Sequence, residues 1–196
     1  ADARWCLVHA THVTGEEVDA LARSGAVAGL CPTTEANLGD GIFPAARFLA
    51  AGGTYAVGSD SHVVVSAAEE LRLLEAGQRL VTGKRNVLAE RALGGHVGAT
   101  LYAGALHGGA QALAQPVGDL ALGRAADLVV LDVDHPRLLA RTGNGLLDAW
   151  LLAAGPGECV RHVMVRGRWV VRDGTHVDQH GIARRFARAM RHLGGN

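Results

Sequence analysis

Two short apolar runs in this sequence end on residues that can do chemistry. One run, Tyr55-Ala56-Val57-Gly58-Ser59, ends on the carboxylate of Asp60, and an earlier run from Trp5 to Val8 ends on the imidazole of His9. A charged group at the end of a buried strand costs free energy unless a metal or a reacting group needs it there. These two strand ends therefore indicate the rim of an enzyme rather than a binding module.

Asp60 is predicted to bind a metal ion and to accept a proton from water, because a carboxylate can coordinate a cation and remain basic. The alternative is a helix cap or a turn acid. We favour the metal role because Ser66 can already cap the next helix. His9 alternates with Leu7 and is expected to share its face of the strand. It could polarise the reacting centre, whereas the alternative is a hydrogen-bonded core histidine.

A polar segment, predicted as a loop over residues 33–41, follows the second strand. It carries Glu35 and Asn37, which could contact substrate or support the site, since barrel enzymes gather polar groups at strand ends. A solvated loop shaped by glycines is the alternative interpretation. His62, two residues beyond Asp60, is expected to be a supporting group rather than a metal ligand. These three residues are the supporting candidates.

Alternating strands and helices are predicted between residues 5 and 98, which is typical of βα units and a parallel sheet. Thr14 and Gly25 are expected to cap the first helix. The predicted strands are 5–9, 26–31 and 54–59, and the predicted helices are 16–24, 44–51, 66–80, 85–93 and 99–113. A closed barrel needs about eight parallel strands, so an open, apolar sheet edge is expected here.

A second region, residues 116–196, has a different character and is predicted to be a β-rich accessory domain that follows a first domain of residues 1–115. Its expected elements are a strand at 128–132, a helix at 145–154, a hairpin at 160–165 and 168–172, and a terminal helix at 179–193. The hairpin is predicted to turn at Arg166-Gly167. The fold class is therefore α/β, with a smaller β-rich layer.

Composition excludes several classes of partner. Lys+Arg and Asp+Glu both number 19, so no basic surplus favours nucleic acid or an anionic membrane. The cysteines Cys6, Cys31 and Cys159 lie far apart in apolar runs, which indicates reduced, buried thiols and a cytoplasmic location. A strand-like run begins almost at the first residue, without an initiator Met, and we expect a chain cut inside a longer fold.

Three stretches resemble the amidohydrolase superfamily: residues 8–12, residues 30–41 and the segment Gly58-Ser59-Asp60-Ser61-His62. Residues 118–132 and 163–174 are similar to the small β-sandwich of many members. This resemblance implies strands six to eight of a (β/α)8 TIM-barrel metal-dependent hydrolase, followed by a β-sandwich accessory domain. A His-x-His pair, a further strand-borne histidine with a nearby glutamate, and substrate-binding arginines are expected outside this sequence.

By the same resemblance, Asp60 matches an aspartate that binds a single Zn²⁺, and His9 matches a histidine beside the attacking water. The implied reaction is zinc-dependent hydrolysis of the small molecule N-formimino-L-glutamate to N-formyl-L-glutamate and ammonia, in histidine degradation, by a dimeric full-length enzyme. One alternative is a deaminase of the same superfamily that acts on a nucleobase or an aminotriazine-like ring. Another is an inactive fragment or non-catalytic partner that pairs through the open sheet edge.

Overall fold

The computed structural model describes residues 1–61 and 64–194. Its first sheet has three parallel strands in the order β1-β2-β3: β1 (Cys6–Val8), β2 (Val27–Leu30) and β3 (Thr54–Val57). Ala28 pairs with Leu7 on one side and with Tyr55 on the other. Parallel neighbours joined by helices are the βα pattern that the sequence predicts. The sheet is consistent with part of a TIM barrel.

The helices surround this sheet and extend into the second region. They are α1 (Gly15–Ser24), α2 (Pro32–Leu38), α3 (Ala45–Ala50), α4 (Ala67–Thr82), α5 (Val97–Leu113), α6 (Asn144–Ala153) and α7 (Gln179–Gly194), with one 3₁₀ turn at Arg91–Leu93. The predicted caps of α1 are confirmed. Thr14 and Glu17 form a reciprocal capping box, and Gly25 ends the helix at φ 74°.

Two predictions of local structure are wrong, and both errors come from buried polar groups. The predicted loop over residues 33–41 instead contains α2, which begins at Pro32 and ends before Gly39 at φ 74°. The predicted helix over residues 85–93 is reduced to the 3₁₀ turn. The backbone N–H groups of Val87 and Leu88 donate to the buried carboxylate of Glu75, both at 3.0 Å, and not to helical carbonyls.

α5 packs directly against the backbone of β3. A Cβ atom at Gly108 would lie 1.8 Å from the carbonyl oxygen of Tyr55, and one at Gly104 would lie 2.7 Å from the Tyr55 ring. The Tyr55 hydroxyl donates to the Leu101 carbonyl at 2.7 Å. Glycine is therefore required where this helix crosses the strand, and the contact holds the strand that leads to Asp60.

The second sheet is antiparallel and has the strand order β4-β5-β6-β7. Its strands are β4 (Leu128–Leu131), β5 (Val160–Val165), β6 (Arg168–Arg172) and β7 (Thr175–His176). The predicted hairpin is confirmed, since Arg166 and Gly167 turn at φ 46° and 77°. Among the described residues, this second region forms one sheet, so the predicted β-sandwich is not shown.

α6 packs against α4 and α5. Its buried residues Trp150 and Leu151 belong to the same core as Leu101 of α5. The second region therefore contributes a helix to the hydrophobic core around the parallel sheet. The division into domains at residues 115 and 116 stays a prediction.

The edge of the parallel sheet and helix α7 both expose apolar residues. Trp5 and Val8, at the outer edge of β1, are 59% and 57% exposed, in agreement with the open edge expected from the sequence. α7 contains no buried residue, and its apolar residues Ile182, Phe186 and Met190 lie in solvent. Within the described ranges, no helix has the length and apolar character needed to span a bilayer.

Candidate active site

His9 and Asp60 lie together at the carboxyl end of the parallel sheet. β1 ends one residue before His9, and β3 ends shortly before Asp60. Because the strands are parallel, both ends reach the same edge. The distance from His9 Nε2 to Asp60 Oδ2 is 3.9 Å, and the two side chains are 40% and 41% exposed. The two residues that the sequence selects for chemistry therefore share one site that is open to solvent.

Both residues adopt a left-handed backbone conformation. The φ angles are 67° at His9, 49° at Ala10 and 48° at Asp60. The His9 N–H still donates to the Gly29 carbonyl at 2.8 Å, so the chain turns immediately after the last ladder hydrogen bond. Strand alternation thus does not set the direction of the His9 side chain, contrary to the expected shared face with Leu7. Such conformations cost about 1–3 kcal/mol each and concentrate at functional sites.

Glu35 contacts His9 from the opposite side of the imidazole. Its Oε1 lies 3.3 Å from His9 Nδ1 and also accepts the backbone N–H of Cys31 at 2.9 Å. The Glu35 side chain is only 4% exposed, because the first turn of α2 is buried. His9 therefore lies between two carboxylates, with Glu35 at Nδ1 and Asp60 at Nε2.

The other two supporting candidates are placed differently. Asn37 lies exposed in α2, two residues beyond Glu35. His62 lies outside the described residues. A role for either residue in the site stays a prediction.

Two threonines near the site were not selected from the sequence. The Thr34 hydroxyl donates to the carbonyl of Ser59, the neighbour of Asp60, at 2.9 Å. The Thr33 N–H donates to a carboxylate oxygen of Glu70 at 2.9 Å, and its hydroxyl donates to the other oxygen. The sequence does contain one signal for the helix that carries these threonines: Pro32, because proline favours the first position of a helix.

A second group of possible metal donors includes His9 itself. One donor atom each from His9, Cys31 and Glu35 lie within 4.8 Å of one another. Burial, and then the negative charges of Glu35 and Asp60, raise the pKa of Cys31 to about 11. A thiol with this pKa is protonated at neutral pH, whereas a metal binds the thiolate. A metal bound by this group would therefore have to displace the Cys31 proton.

The donors present fit part of a zinc site. Zinc in enzymes takes imidazole nitrogens and carboxylate oxygens, usually from about three protein ligands. Asp60 offers such an oxygen at the open end of the sheet, and His9 Nε2 lies 3.9 Å from it.

Comparison with known proteins agrees with this fold. The amidohydrolase family model matches residues 1–170, and the chain belongs to that family. Formimidoylglutamate deiminase of Pseudomonas aeruginosa is 59% identical over 192 residues, which are 98% of this chain and 42% of that protein. The chain thus spans less than half the length of this relative. The resemblance inferred from the sequence is confirmed.

Two solved structures share the fold. The crystal structure of an amidohydrolase from Brucella melitensis has a TM-score of 0.89 and 45% identity, covering 98% of this chain and 42% of that one. An adenosine deaminase from Xanthomonas campestris with bound zinc has a TM-score of 0.79 and 23% identity, covering 97% and 43%. At that lower identity the likeness shows the fold alone.

Proposed function

We propose that this chain supplies His9 and Asp60 to the active site of an amidohydrolase that converts N-formimino-L-glutamate and water to N-formyl-L-glutamate and ammonia. The observation that carries the proposal is the 3.9 Å approach of His9 Nε2 and Asp60 Oδ2 at the carboxyl end of the sheet. The choice of substrate is supported by the 59% identity to formimidoylglutamate deiminase of Pseudomonas aeruginosa.

Zinc is the proposed cofactor, one ion per complete site. The exposed carboxylate of Asp60 would hold it, together with ligands from outside this chain. The zinc in the Xanthomonas campestris structure supports this choice of metal. When bound, zinc supplies Lewis acidity that makes water a competent nucleophile near neutral pH.

Asp60 and His9 then have different roles in the reaction. Asp60 accepts a proton from water as the water oxygen forms a bond to the formimino carbon. His9 Nε2 hydrogen-bonds the attacking oxygen and stabilises the tetrahedral adduct. Cleavage of the bond from that carbon to the imino nitrogen releases ammonia. The glutamate that delivers protons to this nitrogen is proposed to lie outside this chain.

The complete enzyme is proposed to be a cytoplasmic dimer that binds neither nucleic acid nor membranes. Cys6, Cys31 and Cys159 are free thiols, which supports a reducing compartment, although Cys6 is exposed and not buried as the sequence predicts. The equal numbers of acidic and basic residues give no electrostatic attraction to polyanions. Sedimentation of the complete enzyme tests the dimer, and a monomer would contradict it.

An exchange chimera tests the function. In this chimera, the present chain replaces the matching segment of the Pseudomonas aeruginosa deiminase. The zinc-loaded chimera is assayed for ammonia release from N-formimino-L-glutamate, guanine and cytosine. Turnover of N-formimino-L-glutamate alone is expected. Turnover of guanine or cytosine instead would favour a nucleobase deaminase, and a folded chimera that turns over none of the three would contradict the proposal.

Zinc stoichiometry of the 196-residue chain tests the proposed need for outside ligands. One carboxylate and one histidine should not hold zinc tightly, so dialysis against micromolar zinc is expected to leave little metal bound. Tight one-to-one binding would mean that this chain forms a complete site, and would contradict the proposal that ligands lie elsewhere.

A further inference from the structure

Three consecutive residues in the first turn of α2 contact three different parts of the fold. Thr33 bonds to Glu70 of α4, Thr34 bonds to the carbonyl that precedes Asp60, and Glu35 contacts His9. All three α2 residues are buried. One helical turn therefore ties the ends of β1 and β3 to each other and to α4.

The contact between Glu35 and His9 selects one tautomer of the imidazole. Glu35 Oε1 already accepts the N–H of Cys31 at 2.9 Å, so it is an acceptor at this position. His9 Nδ1, 3.3 Å from the same oxygen, can bond to it only as a donor. Asp60 Oδ2 lies 3.9 Å from Nε2, beyond hydrogen-bond distance, so a neutral His9 with its proton on Nδ1 keeps the Nε2 lone pair free on the side of Asp60. The other tautomer would place the Nδ1 lone pair against a carboxylate oxygen.

His9 and Asp60 need such external contacts to keep their positions. Both occupy left-handed backbone conformations, which persist only where the surrounding structure enforces them. Their side chains are about two-fifths exposed, so core packing alone does not fix them. The buried partners Thr34 and Glu35 supply the missing constraints.

We propose that Glu35 is a positioning residue that keeps the proton of His9 on Nδ1 and its Nε2 lone pair directed at the reacting water. Thr34 holds the end of β3, so that Asp60 keeps its distance from His9. This role rests on the proposed function of His9. It also assigns Glu35 to the imidazole and not to the substrate, because its buried oxygen already serves two partners on this chain.

The tautomer of His9 can be measured on the 196-residue chain itself. Two-bond ¹H–¹⁵N correlation spectra of histidine-labelled protein distinguish the two tautomers, and the H9N variant assigns the signal. At a pH where the spectra show the His9 imidazole to be neutral, His9 is expected to carry its proton on Nδ1. A wild-type His9 with its proton on Nε2 would overturn the proposal before any variant is made.

Two substitutions at residue 35 sharpen this test. Glu35→Gln keeps an acceptor oxygen and should keep the Nδ1–H form, whereas Glu35→Leu removes the acceptor and should shift His9 towards Nε2–H. The His96 signal is the internal control, because its partner is Asp148, and it should stay unchanged in both variants. An unchanged His9 spectrum in folded Glu35→Leu protein would contradict the role of Glu35.

Activity of the exchange chimera provides the second readout. Loss of a residue that orients a catalytic group typically costs about 10–100-fold in activity. We expect Glu35→Leu to lower kcat by this factor with little change in KM, and Glu35→Gln to restore most of it. A raised KM with unchanged kcat would instead place Glu35 against the substrate. A chimera that is inactive before any substitution contradicts the proposed function, while the tautomer measurement still tests Glu35.

Discussion

Two of the histidine–carboxylate pairs in this molecule show that such a pair does not by itself define a catalytic site. His9 Nδ1 contacts Glu35, and His96 Nδ1 contacts Asp148 of α6 at 2.5 Å. The two imidazoles are almost equally exposed. Asp148 also accepts the Gly98 N–H at 2.6 Å, so this second pair joins the beginning of α5 to α6. It acts as a connection between two helices.

The difference lies in what surrounds each imidazole. The second nitrogen of His9 faces another acid, Asp60, at the carboxyl end of a parallel sheet. His9 and Asp60 also have left-handed backbones, whereas His96 has an ordinary φ of −80° at the start of α5. A second acid, a strand end and local backbone strain therefore separate the candidate catalytic site from a structural contact.

Substitution of the two aspartates is expected to give the largest contrast. In the exchange chimera, Asp60→Ala should lower ammonia release by about 10³-fold or more, because it removes a proposed metal ligand and the proton acceptor. Asp148→Ala should leave activity within several-fold and lower the thermal midpoint. Activity assays and thermal melts of both variants check this. Full activity of the Asp60 variant would remove the basis for the site.

Substitution of the two histidines gives the next contrast. His9→Asn should lower kcat by about 10²-fold, the lower end of the range for a general acid or base. His96→Asn should leave kcat close to that of the parent protein, since His96 only connects helices. The measurement is kcat of the two chimeras at saturating substrate. Equal losses of kcat in the two variants would contradict the distinction between a catalytic pair and a structural pair.

Two adjacent glycines test the structural side of the comparison. Gly108→Ala forces a Cβ to within 1.8 Å of the Tyr55 carbonyl oxygen, whereas a Cβ at Gly109 meets no atom within 4 Å. The first substitution should destabilise the 196-residue chain by about 1–3 kcal/mol. The second is a matched control in the same helix and should not destabilise it. Urea unfolding of both variants measures the difference, and equal stabilities would contradict the packing of α5 on β3.

Alkylation of the Cys31 thiol tests the effect of burial and of the nearby carboxylates on its pKa. This prediction has the smallest expected signal. With a pKa of about 11, only about one Cys31 thiol in a thousand is ionised at pH 8. A raised thiol pKa keeps the unreactive protonated form until the pH approaches that value. Alkylation of Cys31 by iodoacetamide, followed by peptide mass spectrometry, should therefore accelerate from pH 8 to pH 10. Rapid alkylation at pH 8 would contradict the raised pKa.

The positions of the two strand ends could be predicted from sequence. Short apolar runs that end on His9 and Asp60, separated by helical segments, require a parallel sheet, and parallel strands bring their carboxyl ends to one edge. The caps of α1 were equally readable, because Thr14 and Glu17 have capping-box spacing. In each case a local pattern determined the result.

The contacts around α2 could not be predicted in this way. Thr33, Thr34 and Glu35 look like loop residues because they are polar, yet they are buried by long-range hydrogen bonds to Glu70, Ser59 and His9. Glu75 likewise draws the N–H groups of residues 87 and 88 away from a helix that local propensity favours. Tertiary partners distant in sequence decide both segments.

The position of the metal in a zinc-loaded exchange chimera tests the central claim most directly. An anomalous difference map at the zinc edge should place the ion at about 2.0–2.2 Å from a carboxylate oxygen of Asp60. His9 Nε2 should then face the same cavity, and Glu35 should remain bonded to Nδ1. Zinc bound instead by His9, Cys31 and Glu35, with Asp60 turned away, would contradict the claim that the ends of β1 and β3 form one catalytic site.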